Sequence, residues 1–164
     1  FIITHLKLKS YTFIFFLQFM NIIKEITSKE THIVRHPVLR EGKPIESCQF
    51  DGDDLESTHH FGLFADNNLT GIISLFSKSS PIFAQQNQCQ IRGMAVLESH
   101  QKKGIGDALV KYCEEYCETN DVDMIWFNAR TAAVGFYKKL GYQIVDEPFD
   151  IPDVGEHYLM YKEL

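Results

Sequence analysis

The chain has 164 residues, of which 45% are hydrophobic and 23% charged, and its formal net charge is −6. These values are typical of one folded globular domain, long enough to bury about two-thirds of its unfolded surface. The acidic balance argues against a general nucleic-acid-binding protein, because phosphate contacts require clustered lysines and arginines.

The beginning of the chain contains an uncharged, apolar stretch at residues 11–23. A membrane-spanning helix requires roughly 20 such residues, and no alanine precedes Ala65 to form the usual signal-peptide cleavage site. We therefore expect the protein to start at Met20, with residues 1–19 as an upstream or non-native extension and residues 20–164 as a single domain. A targeting segment is the alternative.

The first predicted elements are a strand and a helix. Residues 20–26 favour a strand, and residues 27–30 (TSKE) match a capping box that begins a helix. Pro37 is expected to break or kink this helix at His36, because proline removes a backbone hydrogen bond and clashes with the previous turn. The loop that follows, residues 40–56, is rich in charge, glycine and proline and has the length of a binding loop.

A β-hairpin is predicted next. Its strands are residues 59–65 and 69–77, joined by Asp-Asn-Asn at 66–68, residue types that tolerate the left-handed conformations of hairpin turns. His59 and His60 open the first strand. Neighbours in a strand point to opposite faces, which argues against a metal site there.

The stretch 89–120 organises the rest of the chain. Residues 89–96 predict a strand in which Gly93 marks a bulge or a close backbone approach. The turn 101–106 (QKKGIG) leads into an amphipathic helix at 105–118. The stripe expected to be buried consists of Ile105, Leu109, Tyr112 and Tyr116. Because first-turn N–H groups lack helical partners and glycine permits close approach, the turn predicts a site for a polyphosphate anion.

The chain has four cysteines, Cys48, Cys89, Cys113 and Cys117, with no CxxC pair and no zinc-type spacing. Cys113 and Cys117 lie one helical turn apart and could ligate a metal. Small residues on or beside a buried face are the favoured interpretation. We therefore predict no metal, reduced thiols and a cytoplasmic location.

The last part of the chain predicts three strands and a helix. Residues 124–128 (MIWFN) favour a buried strand, and residues 131–139 a helix capped by its first residue, a threonine. Gly141 is expected to follow this helix in the left-handed conformation. Residues 142–145 and 157–162 favour two more strands. The order βαββ, βα, βα and ββ indicates an α/β (α+β) domain with a mixed sheet.

Three of these segments carry a resemblance to a known family. QKKGIG resembles the Q/R-x-x-G-x-G/A signature of the GNAT superfamily of N-acetyltransferases. Residues 128–142 (NARTAAVGFYKKLGY) resemble its second acyl-CoA motif, and the ending GEHYLMYKEL resembles the last strand of small bacterial members. The resemblance covers about residues 20–164.

The resemblance implies a fold and an activity. The fold would be a mixed, mostly antiparallel central sheet flanked by helices. The activity would be direct transfer of an acetyl group from acetyl-CoA, as co-substrate, to a primary amine of a small molecule or peptide, without a metal. Neither nucleic acid nor membrane is implied as a partner, and many relatives pair as homodimers.

The resemblance also implies roles for individual residues. The pyrophosphate of coenzyme A should meet the backbone N–H groups of Gln101, Lys102, Lys103, Gly104, Ile105 and Gly106. The strand edge Met94, Ala95 and Val96 should pair with the pantetheine arm and polarise the thioester carbonyl. Asn128 should bond the same arm, and Phe136 should pack against the cofactor. Tyr137 is the candidate general acid for the departing thiolate.

The general base and the acceptor stay open. His60, Glu98 and His157 are bases of suitable type, and ordered water is the alternative. The loop 40–56 and residues 147–156 are expected to shape the acceptor pocket. The second segment is acidic, which favours a cationic amine or a lysine-bearing peptide unless it is a solvated loop.

The residues of the turn do not match two other phosphate-binding motifs. A dinucleotide-binding GxGxxG would need a small residue where Leu109 stands, and the GxxxxGK[ST] of nucleotide triphosphatases is absent. A non-catalytic acyl-CoA-binding sensor or interaction module on the same fold is the alternative function. Retention of Tyr137 favours the enzyme.

Overall fold

The fold is a single sheet with helices on both faces. The computed structural model describes residues 21–164. Its strands and helices in chain order are β1 (Ile22–Ile26), α1 (Ser28–Leu39), β2 (Thr58–Ala65), β3 (Asn68–Ser77), β4 (Gln88–Val96), α2 (Ile105–Thr119), β5 (Met124–Arg130), α3 (Val134–Lys139), β6 (Gln143–Ile144), β7 (Phe149–Ile151) and β8 (Gly155–Glu163). Short 3-10 helices lie at Ile45–Cys48, Glu98–His100 and Thr131–Ala133.

The strand order is β1-β2-β3-β4-β5-β8-β6, and β7 pairs with the beginning of β8. β4 and β5 run parallel, whereas the other paired strands of the described chain are antiparallel. The predicted mixed, mostly antiparallel sheet is therefore confirmed. Residues 1–19 and Met20 lie outside the described residues, so the expected start at Met20 and the single domain 20–164 stay predictions.

The two faces of the sheet have separate cores. On one face, Cys89 and Ile91 of β4 belong to the same buried cluster as Leu109 of α2 and Tyr137 of α3. On the other face, α1 packs against the sheet in a smaller cluster that includes Val34. Since successive strand residues alternate between faces, Gln90 and Arg92 of β4 point to the α1 side.

A β-bulge bends β4 where it was predicted. The register with β3 shifts beyond Arg92, so that one residue of β3 faces both Gly93 and Met94. Gly93 has φ +62°, and a Cβ there would lie 2.8 Å from Phe50 Cε2 and 3.1 Å from Arg35 Nε. The glycine therefore permits both the left-handed backbone and the close approach of these two side chains.

Several local predictions are confirmed. The capping box exists, with the Glu30 carboxylate accepting from the Thr27 N–H at 2.7 Å and Thr27 Oγ1 accepting from the Glu30 N–H at 3.2 Å. Asp66 and Asn67 of the hairpin turn have φ of 49° and 62°. Gly141 follows α3 with φ +90°.

The helix around Pro37 is longer than predicted. Instead of breaking at His36, α1 continues to Leu39, and the Arg40 N–H still reaches the His36 carbonyl at 3.1 Å. Pro37 lies in the last turn of the helix, so its missing N–H costs a single hydrogen bond near an end that would fray in any case.

The buried stripe of α2 is rotated from the predicted one. The fully buried residues are Ile105, Leu109, Val110, Cys113 and Cys117. Tyr112 and Tyr116 are half-buried at its border, where Tyr116 Oη lies 2.9 Å from His59 Nε2. A tyrosine at the border packs its ring while its hydroxyl finds a polar partner, and the pattern did not distinguish this from full burial.

Two predictions near the C-terminus are wrong. Thr131 does not cap α3; it opens a 3-10 helix, and its hydroxyl donates to the Glu156 carboxylate at 2.7 Å. The acidic segment 147–156, where no strand was predicted, contains β7, which pairs with β8. The strand is only three residues long, and acidic residues are uncommon in strands, so the sequence pattern did not predict it.

Candidate active site

The predicted polyphosphate turn connects β4 to α2. Gln101 Nε2 donates to the Val96 carbonyl at 3.0 Å, which fastens the turn to the end of the strand. Lys102 and Gly104 have φ of 60° and 79°, so the backbone reverses twice within a short distance. Residues 101–104 are exposed, which leaves this backbone accessible.

The N-terminus of α2 leaves backbone donors unused. Its N-cap, Gly104, has no side chain to accept from them, and the first N–H with a backbone partner is that of Ala108, which donates to Gly104 at 3.0 Å. Within the described chain, the N–H groups of residues 102–107 make no backbone hydrogen bond. Free donors at the positive end of a helix dipole are an arrangement that binds anionic oxygen.

Residues from three elements meet beside this turn. A Cβ on Gly106 would lie 3.3 Å from Phe136 Cζ and 3.7 Å from Met94 Cε. The structure therefore brings together the predicted turn, the bulged part of β4 and the half-buried Phe136 of α3. A side chain at Gly106 would force the Phe136 ring to shift by a few tenths of an ångström.

β4 and β5 diverge next to this point. They pair only over residues 88–90 and 124–126, although both strands continue. Within residues 21–164, the edge formed by Met94, Ala95 and Val96 therefore has no strand on its β5 side. Asn128 lies on the facing strand and is exposed. The opening has a backbone edge on each side, suited to an extended ligand with amide groups.

Tyr137 lies in an aromatic cluster behind the opening. It is 6% exposed, and its ring centre is 4.3 Å from that of Phe127 and 4.9 Å from that of Phe136. Burial raises the pKa of the Tyr137 hydroxyl above its ordinary value, so the group keeps its proton. The same cluster contains Tyr142, whose hydroxyl pKa is raised by burial and by the neighbouring Glu114 carboxylate.

His60, one of the candidate bases, is held inside the protein. Its Nε2 lies 2.8 Å from the Asp53 carbonyl, which can only accept, so Nδ1 must accept from Ser74 Oγ at 2.7 Å. Burial lowers the pKa of the imidazole and favours this neutral form. His60 therefore has no free nitrogen for a substrate.

His157 and Glu98 occupy different surroundings. His157 lies near the beginning of β8, buried and opposite Arg130, and its Nδ1 lies 2.7 Å from the Gly155 carbonyl. Because that carbonyl only accepts, Nδ1 carries the proton and Nε2 keeps a lone pair. Glu98 is exposed on the 3-10 helix after β4.

The sequence analysis missed a buried ion pair on the α1 side. Arg35 is fully buried and donates to both Asp53 carboxylate oxygens, at 2.5 and 3.0 Å, and to Ser74 Oγ at 2.8 Å. The Asp53 carboxylate also accepts from the Phe50 N–H at 2.7 Å. The pair thus fastens the loop 40–56 to the sheet. The sequence pattern does not reveal this ion pair, because Arg35 and Asp53 are 18 residues apart.

The two segments expected to shape the acceptor pocket touch each other. Lys43 Nζ donates to the Asp153 carbonyl at 3.4 Å. The acidic side chains of residues 146–156 are all exposed: Asp146, Glu147, Asp150, Asp153 and Glu156. This exposure indicates that the acidic side chains are solvated at the surface and do not line a negatively charged pocket.

The cysteines are small buried residues, as their spacing predicted, and not an exposed pair. All four are buried free thiols, and burial raises the pKa of the Cys113 thiol. Within residues 21–164, no cluster of three or more histidine, cysteine or acidic side chains could hold a metal. No described helix has the length and apolarity to cross a membrane. The cytoplasmic location and the homodimer stay predictions.

A family model and a bacterial relative match most of the chain in sequence. The model of the acetyltransferase (GNAT) family matches residues 18–142. The uncharacterized N-acetyltransferase YitI of Bacillus subtilis (strain 168) is 37% identical over 142 residues, covering 87% of this chain and 95% of the relative.

Solved structures share the fold. An aminoglycoside 6'-N-acetyltransferase complexed with coenzyme A has a TM-score of 0.70 at 17% identity, covering 87% of this chain and 96% of its own. A Bacillus subtilis acetyltransferase in complex with CoA has a TM-score of 0.63 at 21% identity, covering 88% and 99%.

Proposed function

The chain belongs to the GNAT family of acetyltransferases, and from this premise we propose that it transfers the acetyl group of acetyl-CoA to a primary amine of a small molecule or peptide. The observation that carries the proposal is the junction of β4 and α2. There, the unused N–H groups of residues 102–107 lie directly after a strand edge that has no neighbour.

The residues of this junction fit coenzyme A in two respects. The turn offers backbone donors and the exposed charges of Lys102 and Lys103 to a pyrophosphate. A Cβ at Gly104 would meet no protein atom within 4 Å, so the space above that backbone is open to a bulky anion. The neighbours in the same fold whose structures contain coenzyme A support this assignment.

The opening between β4 and β5 would hold the rest of the cofactor. Backbone groups at Met94, Ala95 and Val96 would pair with the amides of the pantetheine arm, and Asn128 would bond it from the facing strand. Phe136 would pack against it beside Gly106. When bound, acetyl-CoA supplies a thioester that is reactive toward amines, and an N–H of the β4 edge would stabilise negative charge on its carbonyl oxygen.

Tyr137 would supply the proton that the departing thiolate of coenzyme A needs. The amine nitrogen would form a bond to the acetyl carbon while the carbon–sulfur bond breaks. The sulfur would receive the proton of the Tyr137 hydroxyl, and the proton that the new amide nitrogen loses would return to the tyrosinate. Burial keeps that hydroxyl neutral, which is the form a general acid requires.

We propose His157 as the base, because it is buried like His60 but only its Nδ1 is engaged within the protein. Its Nδ1 is fixed as a donor to the Gly155 carbonyl, so Nε2 is the atom available to accept a proton from the ammonium group. His60 is not proposed, because both of its nitrogens are engaged within the protein. Glu98, which is exposed, remains the alternative.

The experiment combines binding and turnover in the full chain. Acetyl-CoA is titrated calorimetrically, with NADH as the control ligand, and release of free thiol is then followed with a panel of primary amines. We expect saturable binding of acetyl-CoA alone and amine-dependent thiol release. Acetyl-CoA binding without turnover on any amine would favour the non-catalytic acyl-CoA sensor. Absence of acetyl-CoA binding at millimolar concentration would contradict the proposal itself.

A further inference from the structure

Three of the chain's four arginines gather around one phenylalanine. The guanidinium carbons of Arg35, Arg92 and Arg40 lie 4.0, 5.0 and 5.3 Å from the centre of the Phe50 ring. Arg92 also lies 5.0 Å from the centre of the Phe76 ring. This arginine cluster concentrates positive charge in a protein whose net charge is −6, so its position requires a reason.

Two members of the arginine cluster have no acidic partner. Arg35 is neutralised by Asp53, but among the described residues neither Arg40 nor Arg92 forms an ion pair. Arg40 donates only to backbone carbonyls, one of them that of Ser47 at 3.2 Å, and Arg92 donates to the Asp51 carbonyl at 3.1 Å.

The cluster is also partly removed from water. Arg40, Arg92 and Phe50 are half-buried. Burial lowers the pKa of the Arg92 guanidinium; the Asp53 and Asp51 charges raise it, and those of Arg35 and Arg40 lower it again. Like charges held together outside bulk water repel one another strongly, and a bound anion would relieve that repulsion. Arginine stacked on an aromatic ring is well suited to binding carboxylate or phosphate.

The arginine cluster lies on the bulge of β4, on the face of the sheet that carries α1. Phe50 and Arg35 pack directly on the bulge at Gly93, next to the Met94 edge assigned to the thioester. Arg92 is two residues beyond Gln90, the last residue of β4 that pairs with β5. It points to the α1 side of the sheet, opposite the polyphosphate turn, which is the side from which an amine can approach without crossing the cofactor.

We infer that Arg40 and Arg92 bind an anionic group of the acceptor, so that the substrates are amines that also carry a carboxylate or a phosphate. The inference rests on the proposed function and defines its substrate class. The ammonium group would enter the opening between β4 and β5 while the anionic end of the same molecule stays at the arginine cluster.

Matched pairs of amines test the inference in the full chain. Each pair differs by the anionic group: L-phenylalanine with 2-phenylethylamine, L-lysine with cadaverine, and O-phosphoethanolamine with ethanolamine. The first two pairs report on carboxylate and the third on phosphate. For at least one pair, we expect kcat/KM to favour the anionic member by about tenfold or more, as expected for a charge-assisted hydrogen bond.

Substitutions identify the residues responsible. Arg92→Gln and Arg40→Gln should each reduce the preference within that pair by about tenfold while leaving the KM for acetyl-CoA unchanged. Both amines are measured with the same preparation, so partial unfolding of a variant cancels in the ratio. Lys29→Gln removes the same charge from an exposed position on α1 and should leave the preference intact.

The possible results separate the inference from the proposed function. Turnover of neutral amines with no preference for the anionic member, or a preference unchanged in both arginine variants, would overturn the inference and leave the acetyltransferase assignment standing. A titration of the anionic members with coenzyme A present needs no turnover. Binding that is lost in Arg92→Gln supports the inference, and no saturable binding of any anionic member overturns it.

Discussion

The two sides of the β4 bulge present positive charge by different means. On the α2 side, the polyphosphate turn uses backbone N–H groups from one short stretch, residues 102–107. On the α1 side, the arginine cluster uses side chains from α1, the following loop and β4, which are far apart in the sequence. The first arrangement suits an invariant ligand such as pyrophosphate, whereas the second can change with a few substitutions.

This difference separates a shared function from a specific one. A backbone site depends on chain direction and glycine, so many sequences with the same turn can bind the same cofactor. A side-chain site depends on which residues the loops deliver. The cofactor therefore follows from the family, and the acceptor has to be inferred from this chain alone.

Breaking the buried ion pair should have the largest effect on the α1 side. Asp53→Asn leaves the fully buried Arg35 without a counter-charge, and we expect the free energy of unfolding to fall by about 3–5 kcal/mol. Urea denaturation measures this value. On the α2 side, Asp107→Asn removes a carboxylate whose partner, Lys111, is exposed, so little change is expected. Equal effects of the two substitutions would contradict the contrast between the two sides.

Tyr137 lies in the core on the α2 side and should affect chemistry rather than binding. Tyr137→Phe keeps the ring in its aromatic cluster but removes the proton donor, so we expect kcat to fall about 100-fold with little change in acetyl-CoA affinity. Steady-state kinetics and calorimetry measure the two quantities. Tyr142→Phe is the matched control, because it removes a buried hydroxyl from the same cluster that lies beside the Glu114 carboxylate, and it should keep the wild-type kcat. An unchanged kcat in Tyr137→Phe would remove this residue from the mechanism.

The sequence predicted the parts of the fold that depend on neighbouring residues. The capping box at Thr27, the hairpin turn at Asp66 and Asn67, and the bulge at Gly93 all follow from local backbone preferences, and all are present. The rotated stripe on α2 was missed, since Tyr116 and Cys117 are both apolar enough to be buried and only the packed sheet decides between them.

The candidate site divides in the same way. The turn 101–106 and the strand before it lie together in the sequence, so their juxtaposition could be predicted. The contacts of Arg35 with Asp53, and of Arg92 with Phe50, join residues that only the folded sheet brings together. The charge composition did not indicate these contacts. The chain is acidic as a whole, and the acidic segment 147–156 suggested a cationic acceptor instead.

A pair of glycines gives the finest test of the contrast. Gly104 in the turn and Gly42 in the loop after α1 have φ of 79° and 74°, and a Cβ on either would meet no protein atom within 4 Å. Alanine at either position should therefore cost about 1 kcal/mol of stability through backbone strain alone. Only Gly104→Ala should also weaken acetyl-CoA binding, by about tenfold, because its methyl group occupies space assigned to the pyrophosphate. Calorimetric titration measures this affinity, and equal affinities in the two variants would place the pyrophosphate elsewhere.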